Sequence, residues 1–507
     1  MRAFALIPST LLCTAIAMPV VADVTPEDVW NDTLATIKLF GQSVTADLER
    51  DGKTLIARNV EFRSGADEGG LSSVTTMEQL NLVNLGNGTV KMDFVSPIIS
   101  HASYPTFSEI DGDDILAEMT SNVMVMGDII VSGDPDAVMY KVDGADFEFL
   151  SEVSSADEMA LAQTTEMTMS DVSGAWSSTL DGTKLTGQFL FDADSYGLQM
   201  NQPGAEGPQA QINLTMKDVS TEGEYEGTEQ ANPEDWNTAL SNLTARFAQS
   251  FETGTFETQF ADGDSPSATK VAGTIGHTWV DMSTLDGSAS YETSSSDIAA
   301  TISGPAVPVD DAQVFIANMS TNINLPLTGR ETAQPFGLGL SFEDIGVSSA
   351  IWAMFDPQGQ LSQEPATVTL KLSGDALVTE ALTPTNPAAI TDGGAPQLDR
   401  LNLDTLLVSF AGAKVDATGA FKAITGAASP MGGLPDLAGS IDVTMTNVTS
   451  LIDTLTRMGI APPEFGGMAQ MMLGMLARPG PEVGTLVSHI ERTEDGQILA
   501  NGMPLPF

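Results

Sequence analysis

Apolar and polar residues alternate in short runs along most of the chain, and Gly, Asp and Asn cut the runs. Period-two alternation bounded by turn residues predicts antiparallel strands joined by tight turns. Segments 44–49 and 54–62 flank Asp51-Gly52, and 177–180 and 184–191 flank Asp181-Gly182, both strong hairpin signals. Segments 80–83 and 89–94 bracket Gly86-Asn87-Gly88 in the same way. Segments 123–131, 137–142 and 147–153 read as separate strands of a meander that turns at Asp134-Pro135 and Asp143-Gly144. Further strands are expected at 366–372, 405–410 and 440–446, with a last pair, 486–492 and 497–500, turning at Glu494-Asp495-Gly496.

Helical periodicity is confined to a few places. Thr25-Pro26-Glu27-Asp28 supplies a cap, a first-turn proline and early carboxylates, and Val29, Trp30, Leu34, Ile37 and Phe40 follow as an apolar stripe. Asn232-Pro233-Glu234-Asp235 repeats that opening, with Trp236, Leu240, Leu243 and Phe247 behind it, 207 positions on (233 minus 26). The pair reads as a duplication of a helix followed by a β-meander. Near the C-terminus, 448–458 is an amphipathic helix capped by Asn447 and stopped by Gly459; Pro462-Pro463 opens a second over 464–477. Segment 383–396, rich in Pro, Thr, Ala and Gly, reads as a loop. The expected fold is mainly β: large twisted antiparallel sheets in two duplicated helix-plus-meander halves, 23–228 and 229–507, with a helical hairpin near 448–477.

Charge then narrows the partners. Asp and Glu number 68 against 20 Lys and Arg, a formal net charge of −48 over 507 residues. Nucleic acid is excluded as a partner, because phosphate contacts need clustered bases, and an anionic membrane surface is disfavoured for the same reason. Excess surface carboxylate instead keeps a protein hydrated in salt. Residues 1–22 have the form of a secretory signal: Arg2, an apolar stretch from 6 to 17, and Val20-Val21-Ala22 as the cleavage site. The single cysteine, Cys13, lies inside it, so the exported chain has no disulfide and no thiolate metal site. No later stretch is apolar enough to span a bilayer, and the expected location is the periplasm.

Catalytic chemistry is not indicated. His101, His277 and His489 are isolated, and no nucleophile elbow, zinc pair, phosphate loop or dinucleotide fingerprint occurs. No catalytic, cofactor or metal residue is assigned, and the chain reads as a non-enzyme. The acidic runs 111–114, 192–194 and 262–264 lack the glycine and closing glutamate of a calcium loop, and turn acids bonding their own backbone explain them better. Met468, Met471, Met472 and Met475 are spaced along one helix. Thioethers can hold Cu(I), but this spacing more often makes an adaptable apolar face, a lid or plug on a sheet.

The C-terminal third carries an ordered set of motifs: Trp352-Ala353-Met354-Phe355-Asp356-Pro357, Glu364-Pro365-Ala366-Thr367, Leu451-Ile452-Asp453-Thr454-Leu455, Gly459-Ile460-Ala461-Pro462, Met472-Leu473-Gly474-Met475 and the ending Asp495-Gly496-Gln497-Ile498-Leu499-Ala500-Asn501-Gly502. Over 342–507 this resembles the exported bacterial family known as domain of unknown function 2125. The general organisation is more loosely similar to AsmA-like envelope proteins. The first resemblance implies no activity or site residue; the second implies lipid handling in the envelope. The expected function is therefore an exported envelope protein that holds lipid or another apolar ligand on a concave sheet face, with Trp352 and the four methionines as ligand-contact candidates. The alternative is a structural or protein-interaction module with an envelope protein as partner. Trp352, Asp356 and Pro357 also read as a buried tryptophan beside a rigid Asp-Pro turn.

Overall fold

A computed structural model describes residues 23–39, 42–65, 72–107, 114–155, 163–202, 209–228, 236–261, 269–305, 307–309, 312–382, 396–424 and 436–505. The signal segment 1–22, the acids at 111–113 and 262–264, the helix opening 232–235 and most of the loop at 383–396 lie outside the described residues.

The chain begins with α1 (Pro26–Leu39), β1 (Ser43–Asp51), β2 (Thr54–Gly65), β3 (Ser72–Asn84), β4 (Val90–Phe94), β5 (Ile98–Phe107), β6 (Asp114–Met126) and β7 (Ile129–Asp134). Longer strands follow: β8 (Ala137–Ser155), β9 (Gln163–Asp181), β10 (Lys184–Gln202) and β11 (Gln209–Thr228). Then come α2 (Trp236–Ser241), β12 (Thr244–Phe251), β13 (Thr253–Ala261), β14 (Thr269–Ile275), β15 (Thr278–Leu285), β16 (Ser288–Ser303), β17 (Ala312–Pro326), β18 (Gln334–Val347) and α3 (Ser349–Phe355). The C-terminal part holds β19 (Ala366–Leu377), β20 (Gln397–Phe410), β21 (Ala413–Ala423), β22 (Leu437–Thr446), α4 (Val448–Arg457), α5 (Pro463–Leu476), β23 (Arg478–Pro479), β24 (Thr485–Arg492), β25 (Ile498–Ala500) and β26 (Met503–Pro504).

The fold is mainly β, as expected, and the strands form one antiparallel sheet. Most strands pair with the next in sequence. Twice, a long strand is flanked by two short ones end to end: β3 pairs with β4 and β5, which pair with β7 and β6, and both rejoin on β8. β11, β12 to β15 and β16 repeat that arrangement. The phase of this repeat differs from the helix-led one, since α1 precedes β1 whereas α2 falls between β11 and β12. Backbone pairing runs unbroken from β11 into β12 and β13 across position 228.

Three local expectations are corrected. Segment 123–131 is two strands, broken where Gly127 at φ 156° comes so close to β8 that a Cβ there would meet that of Ala145 at 2.5 Å. Segments 137–142 and 147–153 are one strand, β8; Gly144, at φ 68°, bends it instead of reversing it. The second expected helix ends at Ser241, short of Phe247, because Phe247 is drawn into β12 by pairing with Gly223 and Met282, and tertiary pairing outweighs helical spacing. The hairpin turns at Gly52 and Gly182 stand as expected, both with φ near +60° (56° and 64°). Asn447 precedes α4 in the left-handed region, and its amide donates to the Gly412 carbonyl at 3.1 Å instead of capping the helix.

A crease crosses the sheet. In β9 the apolar side chains are Met167 and Met169, then Val172 and Trp176, so in–out alternation changes phase once. In β10 it changes between Phe191 and Tyr196, and in β11 between Met216 and Val219. Left-handed residues sit at such points: Asn59 in β2, Gly144 in β8, Asp171 in β9, Asp218 in β11, Asp297 in β16 and Asp344 in β18, with φ between 49° and 68°. Where a strand does not change phase it is broken, as between β12 and β13 or β14 and β15. Asp and Asn suit the role because short polar side chains tolerate this conformation; the Asp171 N–H donates to the Asp146 carboxylate at 3.0 Å. A slip of one position would otherwise turn half of each strand inside out.

The sheet folds toward its apolar face at the crease. Val172, Ala193, Met216, Val219 and Phe251 form a buried cluster there, and Phe191 and Tyr196, on opposite arms of β10, both pack against it. At the N-terminal end α1 fills the resulting trough. Its first turn is closed reciprocally, the Asp28 N–H donating to Thr25 Oγ1 at 3.3 Å and the Thr25 N–H to Asp28 Oδ2 at 2.8 Å. Val24, Val29 and Trp30 then bury against Leu55, Leu82, Val131, Tyr140 and their neighbours. Along the inner face, rings lie over glycines of the adjacent strand: a Cβ on Gly187 would meet the Tyr225 ring at 2.2 Å, and one on Gly223 the Phe189 ring at 2.3 Å.

The Gly223 contact gives a direct test. A Cβ there would also meet the Arg246 carbonyl oxygen at 2.6 Å, so moving Phe189 alone does not relieve it. Gly223→Ala is expected to destabilise the fold by about 1–3 kcal/mol. Urea denaturation checks this, with Gly182→Asn, at an open turn position, as the near-neutral comparison.

Candidate functional site

The trough wall is one continuous apolar surface. Starting at β4, successive cross-strand partners on the inner face are Val90, Val131, Tyr140, Trp176, Phe189, Gly223, Phe247, Met282 and Tyr291. They continue through Ile323, Leu338, Leu372, Leu403, Gly419, Ile441, Ile490 and Ala500. Each comes from a different strand and none is charged. Beside it runs a second row, Met319, Phe342, Val368, Val408, Val415, Met445 and Leu486.

The outer face is of another kind. Its matching row reads Ile130, Lys141, Ala175, Leu190, Glu222, Ala248, Asp281, Glu292, Asn322, Gly339 and Lys371. Arg246 bridges Glu222 and Asp281 there at 2.9 and 2.8 Å. Such exposed pairs contribute little to stability but keep the face wet. Large apolar side chains also occur on it singly: Trp279 stands between Ser250 and Ser294.

Burial along the inner row is uneven. Under α1 it is complete, with Val131 at 0% and Tyr140 at 2% exposure. Beyond β11 no described helix covers it comparably, and Met282 is 41% and Leu338 39% exposed. Aromatic contacts join the two regions. Tyr140 stacks on Trp176 at 4.3 Å, Trp176 approaches Phe191 at 6.0 Å, and Phe189 bridges Phe191 and Phe247 at 6.2 and 6.3 Å. From β12 to β24 the open part is ten strands wide, about 43 Å at about 4.8 Å per strand.

The polar feature under α1 is Asp32, only 9% exposed. It accepts hydrogen bonds from the Tyr140 hydroxyl, at 2.6 Å, and from the Ser178 hydroxyl. Burial, with Asp32 beside it, pushes the Tyr140 phenol well above its ordinary range. Tyr225 of β11 is raised likewise, chiefly by burial, and hydrogen-bonds Thr36 of α1.

The residues expected at a site lie in two different settings. Trp352 of α3 is buried, 4.9 Å from the Phe355 ring and stacked at 6.2 Å on Phe410 of β20. Asp356 follows it, accepting the N–H groups of Leu361 at 2.7 Å and Gln360 at 2.9 Å, which hold its carboxyl below the usual value. On α5, Met468, Met471, Met472 and Met475 are all exposed. That helix touches α4 through Gly466, where a Cβ would meet Thr456 Oγ1 at 2.6 Å. Its last carbonyl, of Leu476, accepts from Ser488 Oγ at 2.5 Å and Asn501 Nδ2 at 2.8 Å. Because Ser488 lies between Leu486 and Ile490 on the same face of the strand, this pins α5 to the inner face of β24.

Polar clusters offer less. Asp171, Asp192, Asp194 and Asp218 line a cavity of about 320 Å³ at the crease, yet no group of acidic or histidine side chains among the described residues is placed to hold a metal ion. His101 contacts Thr120, His277 lies near Glu252, and His489 is 2.6 Å from Asp442, each exposed and in a different place. No described helix is long and apolar enough to cross a membrane. No protein-family model matches the chain, and no curated protein matches it.

The Asp356 turn yields a pH prediction. A carboxyl whose folded-state pKa is depressed stabilises the fold above its unfolded pKa, about 3.9, and loses that contribution as pH falls through the folded value. Asp356→Ala is therefore expected to lower Tm at pH 7, and the gap from the parent protein should shrink below about pH 4. A pH series of thermal melts reads it directly.

Proposed function

We propose that the protein is a non-enzymatic, exported envelope protein whose inner sheet face holds lipid or another apolar ligand. One observation carries the reading: an uncharged row continuous over strand after strand is left half-exposed from β12 onward, on the concave side of the crease. Monomeric proteins seldom leave so large a contiguous apolar surface bare without a ligand or partner for it. At about 43 Å the open part exceeds the ~30 Å hydrocarbon thickness of a bilayer, so acyl chains fit along it. The uncharged wall suits the chains. The signal-like segment 1–22 supports export to the periplasm, and the C-terminal motifs, with their resemblance to exported envelope proteins, support the location.

Exposed methionines on α5, at the C-terminal end of the trough, favour a second reading, in which that helix docks an envelope protein. In the first reading the same helix is a soft end wall for ligand.

Native mass spectrometry of the protein from its own periplasm, with lipid extraction, separates the two. Bound phospholipid is expected, and Leu338→Glu, which puts a carboxylate on the half-exposed inner row, should remove most of it. Leu190→Glu, on the outer face, should leave it unchanged. Equal lipid in both variants, or none in the parent, would refute the lipid reading.

A further inference from the structure

We infer that α1 is an exchangeable occupant of the trough: it covers a segment of the same binding surface, and ligand and helix compete for it. The inference rests on the lipid reading above and adds its regulation. The inner row under α1 is chemically the row of the open part; Tyr140 and Trp176 pass directly to Phe189 and Phe247. Only the cover differs. α1 presents Val29 and Trp30 where an apolar ligand would lie.

The helix is held differently from an ordinary core helix. In its middle it places the Asp32 carboxylate on the apolar wall, held by two hydroxyls, Tyr140 of β8 and Ser178 of β9. A buried carboxylate with neutral partners is a weaker way to fix a helix in an apolar groove than another Leu, because desolvating the charge offsets most of what the hydrogen bonds return. The other polar tethers are the exposed Glu27–Arg50 pair at 2.8 Å and the half-buried Thr36–Tyr225 hydrogen bond, and Val29 and Trp30 add apolar burial. Past Asp32 the helix is only half-buried. Such a plug is specific in position yet releasable, and the polar node acts as its latch.

The latch can be moved in both directions. Tyr140→Phe with Ser178→Ala keeps the wall's shape but leaves the Asp32 carboxylate unpaired, which expels the helix. Adding Asp32→Leu to that pair gives an apolar latch that seats it more firmly. The probe is phosphatidylcholine, counted per chain by native mass spectrometry, with hydrogen exchange of 26–39 measured on the same samples. In the parent protein, lipid should speed exchange of 26–39 at least tenfold, since ligand and helix exclude one another. The double variant should exchange fast without lipid and carry more lipid per chain; the triple variant should exchange slowly and carry less. A helix with only a structural role would leave lipid counts equal in folded variants, and that result overturns the inference. Exchange of 26–39 that lipid slows or leaves alone in the parent overturns it too, and this arm needs no variant to fold. Absence of phosphatidylcholine from the parent and both variants would refute the lipid reading itself, and the inference with it. Lipid bound equally throughout refutes the plug alone.

Discussion

The structure depends on keeping one side of a very long sheet apolar while each strand bends. In an extended strand, facing alternates strictly, so a bend that adds one residue would send every later side chain to the wrong face. The chain solves this at one column of positions. Asp171, Asp218, Asp297 and Asp344 take the left-handed conformation and the alternation changes phase with them. Elsewhere the phase changes without such a residue, as in β10, or the strand is broken in two, which produces the paired short strands around β4 to β7 and β12 to β15. The concave apolar face, the crease cluster and the place of α1 follow from that column.

That constraint also accounts for part of the acidity. Several acids in the strands are backbone devices at the crease, and others alternate onto the outer face beside Arg246 or Lys371. Carboxylates on the outside keep a flat, strand-rich surface from pairing with another chain; the edge strand β1 shows it, with Asp47, Glu49 and Arg50 along its length. The described inner row carries none of them.

Energetically the trough is an incomplete core. Half-burying a Leu or Phe forgoes about 1 kcal/mol relative to full burial, and the inner row does so repeatedly beyond β11. Around α1 the same kind of row is fully buried. The C-terminal part relies instead on backbone ladders, on rings laid over glycines such as Gly374 beneath Phe336, and on α3 and α5 at the margins.

Turn chemistry and local periodicity are encoded within a few residues, so the mainly β class, the hairpins at Gly52 and Gly182, the cap of α1 and the C-terminal helical hairpin were legible in the sequence, whereas β5, β11 and β14 to β18 were not delimited. The sequence also held a signal that a reading by separate segments passes over: Met167 and Met169 followed by Val172 and Trp176 is an alternation that slips by one, and Asp171 marks the slip. Read as turns, such points made Asp143-Gly144 a hairpin and split β8 in two. Trp352 and the methionines of α5 were legible as apolar, but whether each would be enclosed or open was not, since burial depends on what the rest of the chain places over it. Tertiary pairing is what joins residues from seventeen described strands into one row, lays α1 on its first part and leaves the remainder half-exposed. Those facts depend on register accumulated over many strand pairs, including the longer joins β4 to β7 and β12 to β15, and no single local segment fixes that sum.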